Sequence, residues 1–250
     1  MDGTTLRDQV VVITGAGTGL GRALATGFAE RGASVVGLGR HEPTLQETAS
    51  LAASRRFAYR VVDVAESGAV TEAIGRISDQ FGRIDVLINN AAIYPKVSFL
   101  EQDAESWMKT IAVNLGGVAN CCRAVLPLMM QRGSGRIINI GSFADRSPIP
   151  CSSAYAASKG GLHALTKAIA ADLGDAFPGI AVVEWIPGHL RTQMSGHTGM
   201  DPAVCVEWAV KILGFPPARG TARVFEEDRE HLPPRSLKAR LAAKLGLARR

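Results

Sequence analysis

The chain has 250 residues, 46% of them hydrophobic and 20% charged, enough to build one large core or two small ones. Its net charge of +5 belongs to the end of the chain: from Arg235 onward there are six basic residues and no acid, which leaves the remainder at −1, and no aromatic-basic interleaving elsewhere points to nucleic acid. The longest apolar runs, such as the one ending at Ile13, fall far short of a membrane span, and the N-terminus has no basic-then-apolar leader pattern, so a soluble, cytoplasmic protein is expected.

In chain order, the strand pattern ValValValIleThr from Val10 runs into GlyAlaGlyThrGlyLeuGly from Gly15. A helix then passes through Phe28 and Ala29, and a second strand starts at Ala33, giving a βαβ opening. A helix from about Pro43, a strand near Arg60 to Val64, a helix near Ser67 to Phe81 and a buried strand from Ile84 follow. One long helix is predicted from about Ala104 to Gln131, then a strand from Arg136, a helix carrying Tyr155, and a strand from Ile180. The polar segment from Gly188 to about Asp201 interrupts the alternation and reads as a lid. A helix from Pro202 to Leu213 and a last strand from Thr221 complete the pattern, and Pro233 and Pro234 close the domain. Near-continuous Val/Ile strands separated by helices argue a parallel sheet covered on both faces. With no internal repeat or linker, residues 1–234 read as one domain and 235–250 as a basic tail, in which Leu237, Leu241 and Leu245 form one apolar stripe if it is helical.

Two runs carry chemistry. The turn from Gly15 to Gly21, with Gly19 between, leaves a strand and enters a helix whose first amides and positive dipole end receive an anion. Its GxxxGxG spacing also suits a plain turn. Tyr155 and Lys159, four apart on a helix, point a phenol and an ammonium into one space, where the positive charge favours the phenolate. Taken alone, that pair reads equally as a solvated helix face. Cys121, Cys122, Cys151 and Cys205 show neither metal-ligand nor disulfide spacing and are expected to be reduced, mostly buried thiols; the five histidines show no zinc spacing, so no metal is expected.

Thr14 to Gly21 (TGAGTGLG), Asn89 to Ala92 (NNAA), Asn114, Ser142, the Tyr155/Lys159 pair and ProGlyHisLeuArgThr from Pro187, in this order and at these spacings, resemble the short-chain dehydrogenase/reductase family over roughly residues 8 to 215. The resemblance implies an α/β, Rossmann-like doubly wound parallel sheet of about seven strands with a nicotinamide cofactor across their carboxyl ends. It implies that Gly15, Thr18, Gly19, Leu20 and Gly21 hold the pyrophosphate side, that Asp63 and Val64 meet the adenine, and that Asn90, Ala91 and Ala92 flank the ribose and the strand behind it. Pro187, Gly188, Leu190 and Thr192 would meet the nicotinamide amide and the nearby phosphate. Asp63 also suits a helix cap, and Pro187 and Gly188 an ordinary turn. After the second strand, Gly39 is followed by Arg40 where NAD users of the family tend to have an acid, so NADP(H) is expected over NAD(H), although Arg40 also reads as a solvated helix-start residue.

In the catalytic role carried over, Tyr155 exchanges the proton, Lys159 lowers its pKa and bonds the nicotinamide ribose, Ser142 bonds the same substrate oxygen, and Asn114 binds a water that relays protons to Lys159. The expected reaction interconverts a carbonyl compound and an alcohol of small to medium size. A non-catalytic dinucleotide-binding regulatory protein and a sugar-nucleotide epimerase are the competing readings. Ala92 departs from the family's usual glycine, and Glu184 and Trp185 stand where valine and asparagine are commoner, neither expected to touch the proton-transfer groups. The glycine-rich closing strand is absent, which leaves the familiar tetramer contacts open. The helix around Trp107, Met108, Ile111, Val118, Cys122 and Leu126 offers more apolar surface than one sheet face needs, so at least a homodimer is expected, with core burial as the other reading.

Overall fold

The computed structural model describes residues 6–52, 56–218 and 220–231. Pro233, Pro234 and the tail from residue 235 lie outside the described residues. The first strand, β1 (Val10–Thr14), is buried along its whole length because each of its β-branched residues has a packing partner on one face or the other. It pairs in parallel with β2 (Ser34–Gly39) on one side and with β4 (Val86–Asn89) on the other. Adding β3 (Phe57–Val61), β5 (Gly135–Ile140), β6 (Ile180–Ile186), β7 (Arg223–Glu226) and β8 (Arg229–Glu230) gives an eight-stranded sheet in the order β3-β2-β1-β4-β5-β6-β7-β8. The strand order reverses between β1 and β4, so the chain leaves their carboxyl ends in opposite directions and opens a crevice there.

Strand alternation sorts the core into two layers. On one face α1 (Gly19–Glu30), α2 (Glu42–Leu51) and α7 (Cys205–Leu213) cover Ile13, Ile88, Ile138 and Trp185. On the other, α3 (Ser67–Phe81), α5 (Gly117–Arg132) and α6 (Ser153–Leu173) cover Val12, Leu87, Ile137 and Val182. The doubly wound α/β expectation therefore holds.

Three local differences have physical causes. The third strand starts three residues earlier than expected and stops at Val61, because β2 offers it partners only as far as Gly39; Asp63 Oδ1 then accepts the Ala65 amide at 3.0 Å and turns the chain toward α3. The long helix is three pieces: α4 (Ala104–Ile111), a π-helical turn at Ala112–Gly116, and α5. The sheet gains an eighth strand because Glu227, at φ 53°, reverses the chain and lets the short β8 pair antiparallel with β7.

The run Ala104–Arg132 has the length and mean hydropathy (1.4) of a membrane-crossing helix. Its Val113, Val118, Cys121, Cys122, Val125 and Met129 are buried in the core, which accounts for that hydropathy. Of the stripe expected to pair between subunits, Val118 and Cys122 thus face inward, while Met108 is exposed. Cys121, Cys122 and Cys205 are buried free thiols pushed up to about 12 by burial, and Cys151 is exposed.

Candidate active site

The crevice at the carboxyl ends of the strands deepens into a cavity of about 910 Å³. Gly15, Thr18, Gly19 and Leu20 line one end, and Asn90, Ala91 and Ala92 its floor. Ser142, Tyr155 and Lys159 line its middle, and Pro187, Gly188, Leu190 and Thr192 close it from the far side. The turn before α1 works through its backbone. Gly15 and Gly19 take φ values of 67° and 51°, a region that L side chains avoid. Asn90 Nδ2 donates to the carbonyls of Thr14 at 2.9 Å and Gly15 at 3.2 Å, which ties the turn to the end of β4. Gly21 stands apart from the cavity: a β-carbon there would collide with the Gly15 carbonyl, so its role is to let helix and turn close on each other.

Helix α6 begins just below the cavity and places Tyr155 and Lys159 one turn apart on the same side. Ser142 follows β5 and opens a short 3₁₀ turn by accepting the Ala144 amide at 3.2 Å, on the cavity lining that it shares with Tyr155. Burial pushes the Tyr155 phenol up; the Ser142 hydroxyl opposes that and Tyr94 adds to it. The Lys159 ammonium sits 5.5 Å from the Tyr155 ring centre and donates to the Ile140 carbonyl at 2.6 Å. Lys159 itself is 3% exposed and brought down to about 8 by burial, with the Glu184 charge pulling the other way.

Asn114 sits in the π-helical turn, where the extra residue per turn rotates its amide toward the loop after β4. Nδ2 donates to the Ile93 carbonyl at 2.9 Å and to Ser158 Oγ at 3.1 Å, and Oδ1 accepts the Ile93 amide at 2.8 Å. These hydrogen bonds pin the Ile93 segment against α6. Arg40, Asp63 and Val64 lie beyond the cavity lining. Arg40 reaches Asp63 Oδ2 at 3.5 Å, and Val64 is buried against Gly117 rather than facing the cleft.

Two residues have parts at the site that the sequence reading did not assign to them. Tyr94 stacks on Tyr155 with ring centres 4.6 Å apart and planes 20° from parallel, an arrangement no sequence pattern signals. Glu184 did carry a signal, as the one acid in the buried run IleAlaValValGluTrpIle, and its charge acts on Lys159.

Residues 9–202 match the family described as short chain dehydrogenase. The chain belongs to the short-chain dehydrogenase family. It is 40% identical over 194 residues to the 2-(R)-hydroxypropyl-CoM dehydrogenase of Xanthobacter autotrophicus, covering 75% of this chain and 76% of that one. It is 37% identical over 195 residues to the probable oxidoreductase EphD of Mycobacterium tuberculosis, which is much longer: the match spans 77% of this chain and 33% of that protein. Among solved structures, the 3-ketoacyl-(acyl-carrier-protein) reductase of Brucella melitensis, complexed with NADH, superposes with a TM-score of 0.80 at 26% identity, covering 90% of this chain and 99% of that one.

This short-chain dehydrogenase is an NAD(P)-dependent oxidoreductase acting on CH–OH groups, and the non-catalytic reading is not favoured. Its cleft fits a dinucleotide. The first turn of α1 carries no acid, its N-cap Thr18 makes no side-chain capping bond, and a β-carbon on Gly19 would stand 3.0 Å from Thr192 Cγ2, so backbone amides are offered to an anion between two close walls.

Proposed function

We propose that the enzyme interconverts a secondary alcohol and the corresponding ketone, or a primary alcohol and an aldehyde, with NADP(H) preferred. The observation that carries this reading is the Ser142 and Tyr155 hydroxyl side chains lining one cavity, with Lys159 buried one helical turn beyond Tyr155. When bound, the nicotinamide supplies or accepts the hydride. In the reductive direction the Ser142 hydroxyl donates to the carbonyl oxygen and polarises it, and the Tyr155 hydroxyl gives that oxygen its proton, leaving the phenolate. In the oxidative direction the phenolate takes the proton of the alcohol. Lys159 provides positive charge on the side of the site away from solvent, and Tyr94 holds the phenol ring by stacking.

Tyr155→Phe keeps the ring and removes the hydroxyl. The expected result is a loss of about 10²–10⁴ in turnover with cofactor affinity retained. Turnover within a few fold of the unaltered enzyme would sink the reading. Arg40 supports NADP(H), since the position after β2 carries a cation where an acid would repel a 2′-phosphate. Arg40→Asp is expected to lower kcat/KM for NADPH by about tenfold or more, an amount in line with loss of a charge-assisted hydrogen bond, and to spare NADH. An unchanged ratio between the two cofactors would show that Arg40 does not read the phosphate.

A further inference from the structure

Behind the catalytic lysine lies a charge that the reaction as proposed does not use. Glu184 is 1% exposed near the carboxyl end of β6, on the face covered by α6. Its Oε2 is bonded by His163 Nδ1, one helical turn beyond Lys159 on α6, while its Oε1 is buried with no hydrogen-bond partner among the described residues. Oε1 occupies the place where a β-carbon on Gly141 would stand, beside the Ile140–Gly141 peptide whose carbonyl accepts Lys159 Nζ at 2.6 Å. A buried carboxylate with a free oxygen is costly unless something nearby offsets its charge, and the same holds for a buried ammonium. The Glu184 charge acts on Lys159 against the effect of burial, and the missing side chain at Gly141 leaves the carboxylate room to be there.

We propose that Glu184 is a positioning residue of this enzyme, acting through Lys159: its carboxylate, clamped by His163, keeps the buried ammonium charged beneath the cofactor cleft. The proposal rests on the assignment of Lys159 to the reaction. Surrounding groups leave the pairing specific. From β5 the facing side chain is the neutral Asn139, and from β7 the register partner of Glu184 is Val224. On α6 the titratable neighbours are Tyr155, Lys159 and His163. The π-helical turn presents Asn114, bonded to Ser158, and the 3₁₀ turn presents Asp145, packed toward Gly160 and paired with Arg146 at 3.9 Å. Tyr94 and, beside it, Cys151 lie on the far side of the Tyr155 ring.

Glu184→Gln removes the charge and keeps an amide that His163 can bond. Without the carboxylate, Lys159 loses its proton at lower pH, so the alkaline limb of the reductive kcat/KM profile is expected to move down by about one pH unit, with kcat reduced more than KM. The Lys159 Cε resonance in ¹³C-lysine-labelled protein, titrated without cofactor and assigned against Lys159→Arg, is expected to shift its midpoint in the same direction. His163→Gln, which loosens the clamp and leaves the carboxylate, is expected to give a smaller shift of the same sign, and it stands in for Glu184→Gln if that variant does not fold. Glu184→Met with His163→Leu replaces the pair by apolar groups; a merely structural pair would return the unaltered pH profile there, whereas the proposal expects the limb to stay displaced. Superimposable profiles and unchanged Lys159 titration in the folded variants would overturn the proposal. Lys159→Met is measured in parallel: full activity in that variant would overturn the assignment of Lys159 itself, while loss there with an unshifted Glu184→Gln would overturn only the role of Glu184.

Discussion

The two faces of the sheet are built from the same strands and differ in what they bury. On the side of α1, α2 and α7 the strand residues nearest the crevice are Ile13, Ile88, Ile140 and Trp185, packed against Leu24, Phe28 and Phe225. On the side of α3, α5 and α6, the neighbouring positions on the same strands are Thr14, Asn89, Asn139 and Glu184, all buried. Asn89 pairs in register with Asn139, and Asn139 with Glu184, so the polar row crosses adjacent strands. It is held internally: Asn89 Nδ2 donates to Asn139 Oδ1 at 2.8 Å, Asn139 Nδ2 to Thr166 Oγ1 at 2.9 Å, and the Asn90 and Ala91 amides to Thr14 Oγ1 at 2.9 and 3.0 Å. The apolar face supplies stability through burial, and the polar row fixes where loops and helix α6 meet the cavity. The reacting groups lie at the end of the second face, not the first.

The contrast can be broken most forcefully on the apolar side. Phe28→Ala, at a fully buried position of α1, is expected to cost about 3–5 kcal/mol in denaturant unfolding with turnover per folded molecule unchanged. A large fall in turnover at saturating cofactor would mean that the two faces are not separable. On the polar side Asn139→Ala strands the Asn89 amide and Thr166 Oγ1 without their shared partner. The expected cost is about 1–3 kcal/mol, accompanied, unlike Phe28→Ala, by reduced turnover as α6 loses one of its ties to β5. Destabilisation with unaltered turnover would reduce the row to packing.

The smallest effect concerns the opposite end of the strands. Burial pushes the Asp85 carboxyl up, but hydrogen bonds from Arg83, the Val10 amide and Arg132 outweigh it and hold the group below its ordinary value of 3.8. A depressed carboxylate stabilises the fold above its unfolded value, and that contribution is lost as pH falls through the folded value. The gap in thermal midpoint between the unaltered protein and Asp85→Asn is therefore expected to be full near neutral pH and to close below 3.8. A gap independent of pH would remove Asp85 as a source of acid sensitivity.

Much of this was legible in the chain itself. Valine-rich β1, the glycine turn and the Ser67–Phe81 helix follow from local pattern and chain chemistry, and the structure returns them at or near the expected bounds. Tyr155 and Lys159 share a helix side because residues four apart must do so. The sequence also marked Glu184 as an acid in an apolar strand without saying what it faced. What only the tertiary structure decided depends on groups far apart in the chain: Asn114 turned by a π-helical turn onto Ile93, Lys159 drawn to the Ile140 carbonyl, Tyr94 laid on Tyr155, and Glu184 set into the space that Gly141 leaves open. Spacing along a helix or strand dictates which side a residue takes, but burial, register and the nearest unsatisfied partner decide what it meets there.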